Sequence, residues 1–236
     1  MPFVATHRRE HRSILADPEK RLLIWIARRL SPEINSDHLS LLGLGSMLAV
    51  GAGFAAMRLT AWGALVIIMG LVCNWFGDSL DGTVARVRGQ ERPRFGYYVD
   101  HVIDLAGSAA LFAGLACSGL MTPLVAAAVL AGYLLVSAEV YLSTHVGGVF
   151  RMSAVGVGPT ELRILVIAGV LFAIDRPLVM LPFVGTHLLF DVGGVVALAG
   201  FVAAFVVAAI RQTRLLYLAE PTPEFIRADL KVEPYD

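Results

Sequence analysis

Four aspartates, arranged in two pairs, are the residues of this 236-residue sequence best suited to do chemistry. Asp78 and Asp81 lie three positions apart, and Asp100 and Asp104 lie four apart. On helices, either spacing places both carboxylates of a pair on one face. Because the loop at residues 86–95 is short, the two helices are predicted to be antiparallel neighbours whose pairs face each other near one end.

Such a cluster of carboxylates requires cations. Four ionised carboxylates in one site of low dielectric constant repel one another strongly. Arg86 is one possible partner, but a single positive charge cannot balance four negative ones. Hard oxygen ligands without His or Cys at the same spacing suit Mg²⁺ or Mn²⁺ better than zinc. Two such ions side by side are a known arrangement for phosphoryl chemistry, and they are the predicted cofactors.

The residues around the aspartates leave room for a nucleotide. Gly82 and Ala85 give one helix face little bulk, and Gly96 opens space on the facing helix one turn before the second pair. Arg86 is placed to meet a phosphate. Asn74, one turn before the first pair, could orient a carboxylate or the donor, or could be a buried structural amide.

These positions together form a recognisable pattern. The run Asp78-x2-Asp81-Gly82-x2-Ala85-Arg86-x9-Gly96-x3-Asp100-x3-Asp104 resembles the signature of the CDP-alcohol phosphotransferase family, also called CDP-alcohol phosphatidyltransferases. The resemblance implies an enzyme that moves a phosphate-linked group from a CDP-alcohol to a second alcohol and releases CMP. It also implies two divalent metals held by the four aspartates, cytidine against Gly82 and Ala85, Asp104 as the general base, and often a homodimer.

The elements that must position these residues lie in a membrane. Hydrophobic residues make up 57% of the chain and charged residues only 16%, with a mean hydropathy of +0.71, which is unusual for a soluble domain. The formal net charge of zero gives no field that favours nucleic acid as a partner. A membrane helix needs about 20 mostly apolar residues, and six segments qualify: 38–57, 61–88, 96–119, 122–147, 162–181 and 187–211. We therefore predict an all-α integral membrane bundle of six transmembrane helices.

The distribution of basic residues predicts the orientation of this bundle. With the N-terminus in the cytoplasm, the cytoplasmic pieces hold 17 of the 19 Lys and Arg residues, and only Arg58 and Arg176 fall outside. This agrees with the positive-inside rule. Both termini and the aspartate site are then cytoplasmic, and the predicted location is the plasma membrane of a prokaryote.

Three regions follow from this layout: a cytoplasmic arm at 1–35, a six-helix catalytic domain at 36–215 and a cytoplasmic tail at 216–236. Within the arm, residues 16–31 have an apolar stripe bordered by arginines, in a segment too short and charged to span. A helix lying in the headgroup layer is one interpretation, and an ordinary packed helix is the other. Ser36 and Asp37 offer an N-cap for the first span.

The acceptor side has a weaker signal. The candidates are polar residues in or near the fourth and fifth spans: Glu139, His145, Arg151, Glu161 and Arg163. Each also has a structural interpretation, such as a helix cap or an interfacial histidine. Two versions of the reaction remain, and we prefer the first. In one, CDP-diacylglycerol gives its phosphatidyl group to a small polar alcohol. In the other, suggested by a loose resemblance to aminoalcohol phosphotransferases, CDP-choline or CDP-ethanolamine reacts with diacylglycerol.

Two other classes of function fit the pattern less well. A divalent-cation transporter would also use intramembrane aspartates, but a conduction path needs polar residues through the whole depth of the bilayer, whereas these aspartates cluster towards one face. A membrane scaffold has no need for four aspartates in register.

Overall fold

The chain folds into long helices, as its composition predicts. The computed structural model describes residues 16–147, 159–182 and 184–220. Their elements, in chain order, are α1 (Ala16–Ala27), α2 (Ser36–Ala56), α3 (Trp62–Val87), α4 (Pro93–Ser118), α5 (Pro123–Gly147), α6 (Pro159–Asp175), β1 (Leu178–Leu181), β2 (Gly185–Leu188) and α7 (Leu189–Ala219). Within these ranges, α2, α3, α4, α5 and α7 are long and apolar enough to cross a membrane.

The predicted fifth span is wrong over its last six residues, 176–181. Instead of continuing to residue 181, helix α6 ends at Asp175 after 17 residues. Pro177 follows, a residue that removes a backbone donor and blocks continuation of a helix. The chain then forms an antiparallel hairpin in which Leu178 pairs with Leu188, and Gly185 adopts a φ of +101° at the turn. The helical bundle therefore carries a small β-hairpin between α6 and α7.

Helix α2 packs between α3 and α4 with its backbone in direct contact with theirs. A Cβ on Gly51 would lie 2.3 Å from the carbonyl oxygen of Ala110, and a Cβ on Gly114 would lie 2.0 Å from that of Gly51. On the α3 side, a Cβ on Gly77 would lie 2.5 Å from the carbonyl oxygen of Leu39. Glycine alone allows such close approach. Because the aspartates lie on α3 and α4, α2 sets how far apart they are.

The remaining helices surround this three-helix unit. Helix α5 packs on α4 and α7, and α6 packs on α3. Asp191 in the first turn of α7 accepts a hydrogen bond of 2.7 Å from the backbone N–H of Thr122, which ties α7 to the start of α5. Helix α7 keeps large apolar side chains exposed, among them Val196 and Val207, as expected of a helix that faces lipid.

Helix α1 has one packed face and one exposed face. Leu23 and Ala27 are buried in a cluster with Val84 of α3, whereas Leu22 and Trp25 are about half exposed. The packed-helix interpretation therefore describes one side of α1. The exposed side retains the apolar and aromatic residues on which the interfacial interpretation rests.

The segment between α1 and α2 is held by Arg88, the residue that directly follows α3. Arg88 donates hydrogen bonds to the carbonyl oxygens of Ile34 at 2.6 Å, Leu30 at 3.0 Å and Ser31 at 3.0 Å. The N-cap of α2 is Asn35, whose side chain accepts from the N3 backbone N–H. The predicted cap at the two following residues is wrong by one position, because those residues already form the first turn.

Candidate active site

Three of the four predicted aspartates meet at one point between α3 and α4. Asp78, Asp100 and Asp104 each offer a carboxylate oxygen, and these oxygens all lie within 4.8 Å of one another. They reach this point because α3 and α4 are antiparallel and because α2 holds both at close range. Three convergent carboxylates form a hard, anionic set of donors, so these residues fit a divalent ion such as Mg²⁺ or Mn²⁺.

The fourth aspartate has different partners. Asp81 accepts a hydrogen bond of 2.7 Å from the hydroxyl of Ser40 on α2 and another from the backbone N–H of Gly82. Its carboxylate is thereby oriented by a neighbouring helix and lies apart from the group of three. Sequence reasoning missed Ser40, because nothing in an apolar segment shows which of its serines faces α3.

A cation from α6 reaches the same site. The Nη2 of Arg163 lies 2.5 Å from Oδ2 of Asp78, and its Nε donates to Oδ1 of Asn74 at 2.9 Å. Asn74 in turn donates to the carbonyl oxygen of Gly43 at 3.1 Å. The Nη1 of Arg163 is buried and has no hydrogen-bond partner among the described residues. Arg163, predicted on the acceptor side, thus contacts a member of the carboxylate group directly.

The predicted nucleotide positions have little around them. A Cβ on Gly82 would meet only the Arg86 side chain, at 3.4 Å, and a Cβ on Gly96 would meet nothing within 4 Å. Arg86 itself donates to the hydroxyl of Thr83 at 3.1 Å, so its guanidinium group folds back along α3. Ala85 is half-buried on the same helix. The open space that the small residues were predicted to leave is therefore found at Gly96.

The other acceptor candidates lie in several places. Glu139 accepts a hydrogen bond from the hydroxyl of Ser143, one turn further along α5. His145 is exposed near the end of α5, and Glu161 is half-buried in the first turn of α6. Arg151 lies outside the described residues.

Tyr97 and His101 of α4 and Tyr141 and Thr144 of α5 form a polar cluster beside the carboxylates, which was not predicted as a unit. The ring of His101 packs edge-on against that of Tyr141, with centroids 4.7 Å apart. Its Nδ1 lies 2.6 Å from the carbonyl oxygen of Tyr97 and 3.9 Å from Oδ2 of Asp100. The hydroxyl of Tyr97 bonds to Thr144 on α5. The i, i+4 spacing of Tyr97 and His101 was the available signal.

A groove runs between α3 and α6 away from the carboxylates. It has a volume of about 170 Å³ and is lined by Leu71, Val72, Trp75, Thr160, Arg163, Ile164 and Ile167. The atoms that line it are apolar, including those contributed by Thr160 and Arg163. The groove is therefore an apolar surface beside a residue that contacts Asp78.

Known proteins resemble this chain in sequence pattern and in fold. The model of the CDP-alcohol phosphatidyltransferase family matches residues 39–210. The phosphatidylinositol phosphate synthase of Mycobacterium tuberculosis (PgsA1), crystallised with CDP-DAG bound, is 21% identical with a TM-score of 0.56, over 84% of this chain and 94% of that one. Its apo form is 21% identical with a TM-score of 0.49, over 85% and 95%. The first of these likenesses shows a shared fold. No curated protein matches the chain.

Proposed function

The chain belongs to the CDP-alcohol phosphatidyltransferase family and is a transferase; from that premise we propose that it moves a phosphatidyl group from CDP-diacylglycerol to an acceptor alcohol, with release of CMP. The observation that carries the proposal is the convergence of Asp78, Asp100 and Asp104 between two antiparallel helices. The mycobacterial synthase of similar fold was crystallised with CDP-DAG bound, which supports the choice of donor.

In this proposal all four aspartates bind metal, and one of them is also the general base. Asp78, Asp81, Asp100 and Asp104 would hold two Mg²⁺ or Mn²⁺ ions, which would supply the positive charge that neutralises the diphosphate and stabilises the departing CMP. Asp104 also acts as the general base and takes the proton from the acceptor hydroxyl. The hydroxyl oxygen then forms a bond to the β-phosphorus of the donor, and the bond from that phosphorus to CMP breaks.

The remaining candidates position the two substrates. The small side chains at Gly82, Ala85 and Gly96 leave the nucleotide room to lie against the helix backbones. Arg86, which bonds to the hydroxyl of Thr83, would turn towards a phosphate to complete the donor site. Asn74, whose amide is bonded to Arg163 and Gly43, would support that site by orienting Arg163. Precise placement of this kind can supply a large part of the rate enhancement.

The groove between α3 and α6 supports a lipid as the donor. An acyl chain along Leu71, Ile164 and Ile167 would leave its phosphate end beside Arg163, which contacts Asp78. Burial of such a chain contributes about 0.8 kcal/mol per CH₂ group. The acyl chains of the donor would then extend into the bilayer, while its CDP group reaches the carboxylates.

We assign the acceptor to the cytoplasmic side of the carboxylates. Arg163 supports this assignment because its buried Nη1 has no hydrogen-bond partner among the described residues and would gain one if an anionic acceptor group came within reach. Arg151, Glu161, Glu139 and His145 remain candidates for further contacts. Glu139 would have to exchange its bond to Ser143 for one to substrate.

The same proposal includes a topology. Helix α6, with its 17 residues, covers about 26 Å at 1.5 Å per residue, close to the roughly 30 Å of a bilayer core, and it would serve as the sixth span. Both termini and the site then face the cytoplasm of a prokaryotic cell. A homodimer, frequent in the family, is part of the expectation.

The reaction is tested with purified protein in detergent and CMP release as the readout. One arm offers Mg²⁺ or Mn²⁺, labelled CDP-diacylglycerol and a panel of small alcohols and alcohol phosphates. A parallel arm offers CDP-choline or CDP-ethanolamine with diacylglycerol. We expect CMP only in the first arm. Release of CMP only in the second arm would establish the aminoalcohol reaction. No release of CMP with any donor would refute the proposed transfer reaction and leave cation transport to be tested.

The role of Asp104 is tested separately. Asp104→Asn is expected to lower kcat by at least roughly 10²-fold, because the amide cannot accept the proton. Metal-dependent binding of CDP-diacylglycerol is expected to be largely retained, because Asp78, Asp81 and Asp100 still offer carboxylates. Asp175→Asn, at the exposed end of α6, is the matched control and should turn over like the unmodified protein. Normal turnover by Asp104→Asn would show that another group is the base.

A further inference from the structure

One carboxylate oxygen joins three helices beside the active site. Oε1 of Glu19 on α1 accepts a hydrogen bond of 2.6 Å from the indole Nε1 of Trp75 on α3. The same oxygen accepts another, of 3.0 Å, from the hydroxyl of Thr160 on α6. Thr160 lies inside the first turn of α6, where its hydroxyl donates to Glu19.

The partners of Glu19 are next to the residues that do the chemistry. Trp75 directly follows Asn74 and precedes Asp78 by three positions. Thr160 precedes Arg163 by three positions, so the two side chains share a face of α6. Helices α3 and α6 are therefore joined twice in succession, first through Glu19 and then through the bonds from Arg163 to Asn74 and Asp78.

Glu19 is also attached to a fixed support. Leu23, one turn further along α1, is buried against α3. The carbonyl of Leu30, beyond the end of α1, accepts one of the three hydrogen bonds from Arg88. Because these contacts anchor α1, Glu19 can hold its hydrogen-bond partners on α3 and α6 in place, which a loosely attached segment could not do. Glu19 moreover lies outside residues 39–210, so its contacts are not among the features that identify the family.

From this arrangement we propose that Glu19 is a positioning residue for the transferase reaction. By holding Thr160, it fixes the first turns of α6 so that the guanidinium of Arg163 meets Asp78 in one geometry, which orients the Asp78 carboxylate for metal binding. The inference rests on the proposed function, because it takes Asp78 to be a metal ligand. Residues that orient a ligand in this way commonly affect metal affinity when they are changed.

The experiment measures Mn²⁺ binding by electron paramagnetic resonance of the free ion, on full-length protein in detergent. Glu19→Ala removes the shared acceptor and is expected to weaken Mn²⁺ binding roughly tenfold, the lower end for a residue that supports metal ligands. Glu19→Gln keeps an acceptor oxygen at the same place and should bind Mn²⁺ like the unmodified protein. Thr160→Val, which removes one donor, should weaken binding in the same direction. Glu33→Ala, on the exposed linker after α1, is the matched control.

A spectroscopic readout isolates the contact itself. Trp25 and Trp62 are both more than half exposed, so their replacement with phenylalanine should leave the packing intact. Trp75 is then the single tryptophan of the chain. Loss of the bond to Glu19 should shift its emission to shorter wavelength in Glu19→Ala but not in Glu19→Gln or Glu33→Ala.

The outcomes separate the inference from the proposed function. If the unmodified protein binds no Mn²⁺, the metal site itself is refuted. If it binds Mn²⁺ and Glu19→Ala binds it equally well, the positioning role is refuted and the metal site stands. Equal losses in Glu19→Ala and Glu19→Gln would also overturn the inference, since they would show a need for the charge and not for the accepted hydrogen bonds.

Discussion

Replacing Gly51 with alanine tests whether the close packing of α2 holds the site together. The added Cβ would lie 2.3 Å from the carbonyl oxygen of Ala110, and real Cβ atoms essentially never approach within 3.0 Å. The backbone of α4 would have to retreat by at least the difference between those distances, about 0.7 Å, because the obstructing atom is backbone and cannot rotate away. Overpacking of this kind costs about 1–3 kcal/mol.

Gly45 provides a matched control in the same helix. A Cβ on Gly45 would meet nothing within 4 Å, so Gly45→Ala gains only helix propensity, up to about 1 kcal/mol. Gly51→Ala receives the same gain, so the difference between the two variants isolates the clash. A difference of about 2 kcal/mol corresponds to roughly 4–8 °C in Tm for a chain of this size.

The assay is thermal unfolding in detergent, followed by size-exclusion recovery of the folded protein, with CMP release measured below the transition. Gly51→Ala should unfold at lower temperature than Gly45→Ala, and its turnover should fall, because α4 carries Asp100 and Asp104 away from α3. Equal Tm values for the two variants would refute the reasoning that backbone contact between α2 and α4 sets the geometry.

Three further predictions concern single contacts. Asp78→Asn should weaken Mn²⁺ binding and thereby lower metal-dependent turnover by more than roughly 100-fold. Unchanged metal dependence would remove Asp78 from the ligand set. Ser40→Ala removes the hydroxyl bond to Asp81 and should weaken activation by Mg²⁺ roughly tenfold, since a hydrogen bond to a charged group contributes about 1.5–3 kcal/mol; activation at the usual Mg²⁺ concentration would exclude that role. Arg88→Ala removes the hydrogen bonds to the carbonyls before α2, so trypsin should cleave faster after Arg28 or Arg29, as followed by mass spectrometry. An unchanged cleavage rate would show that Arg88 does not hold this segment.

The aspartate site could be predicted largely because its information is local. Helical spacing alone places Asp100 and Asp104 on one face, and the short loop between the helices brings Asp78 towards them. The structure groups these three. The sequence does not reveal that Asp81 faces Ser40, because that contact depends on how α2 rotates about its own axis, and the apolar pattern of α2 leaves its rotation undetermined.

Contacts over long sequence separation were harder to foresee. Arg163 was predicted to serve the acceptor, and its bond to Asp78 spans 85 residues. The hairpin after α6 was missed because its strands have only four residues each, and their apolar residues resemble the end of a membrane helix. The packed face of α1 followed from its apolar stripe, but the hydrogen bonds of Glu19 did not, since a single glutamate in a basic segment has no distinguishing pattern.

The bond between Arg163 and Asp78 also has a consequence for the synthesis of the chain. The ribosome adds about 5–20 residues per second, so the 85 residues that separate the partners take roughly 4–17 s to make. During that interval Asp78, followed by Asp100 and Asp104, is synthesised before the arginine that pairs with it. Burying them unpaired in hydrocarbon would be costly. In the proposed topology they lie near the cytoplasmic face, where water can solvate them until α6 is inserted and Arg163 arrives.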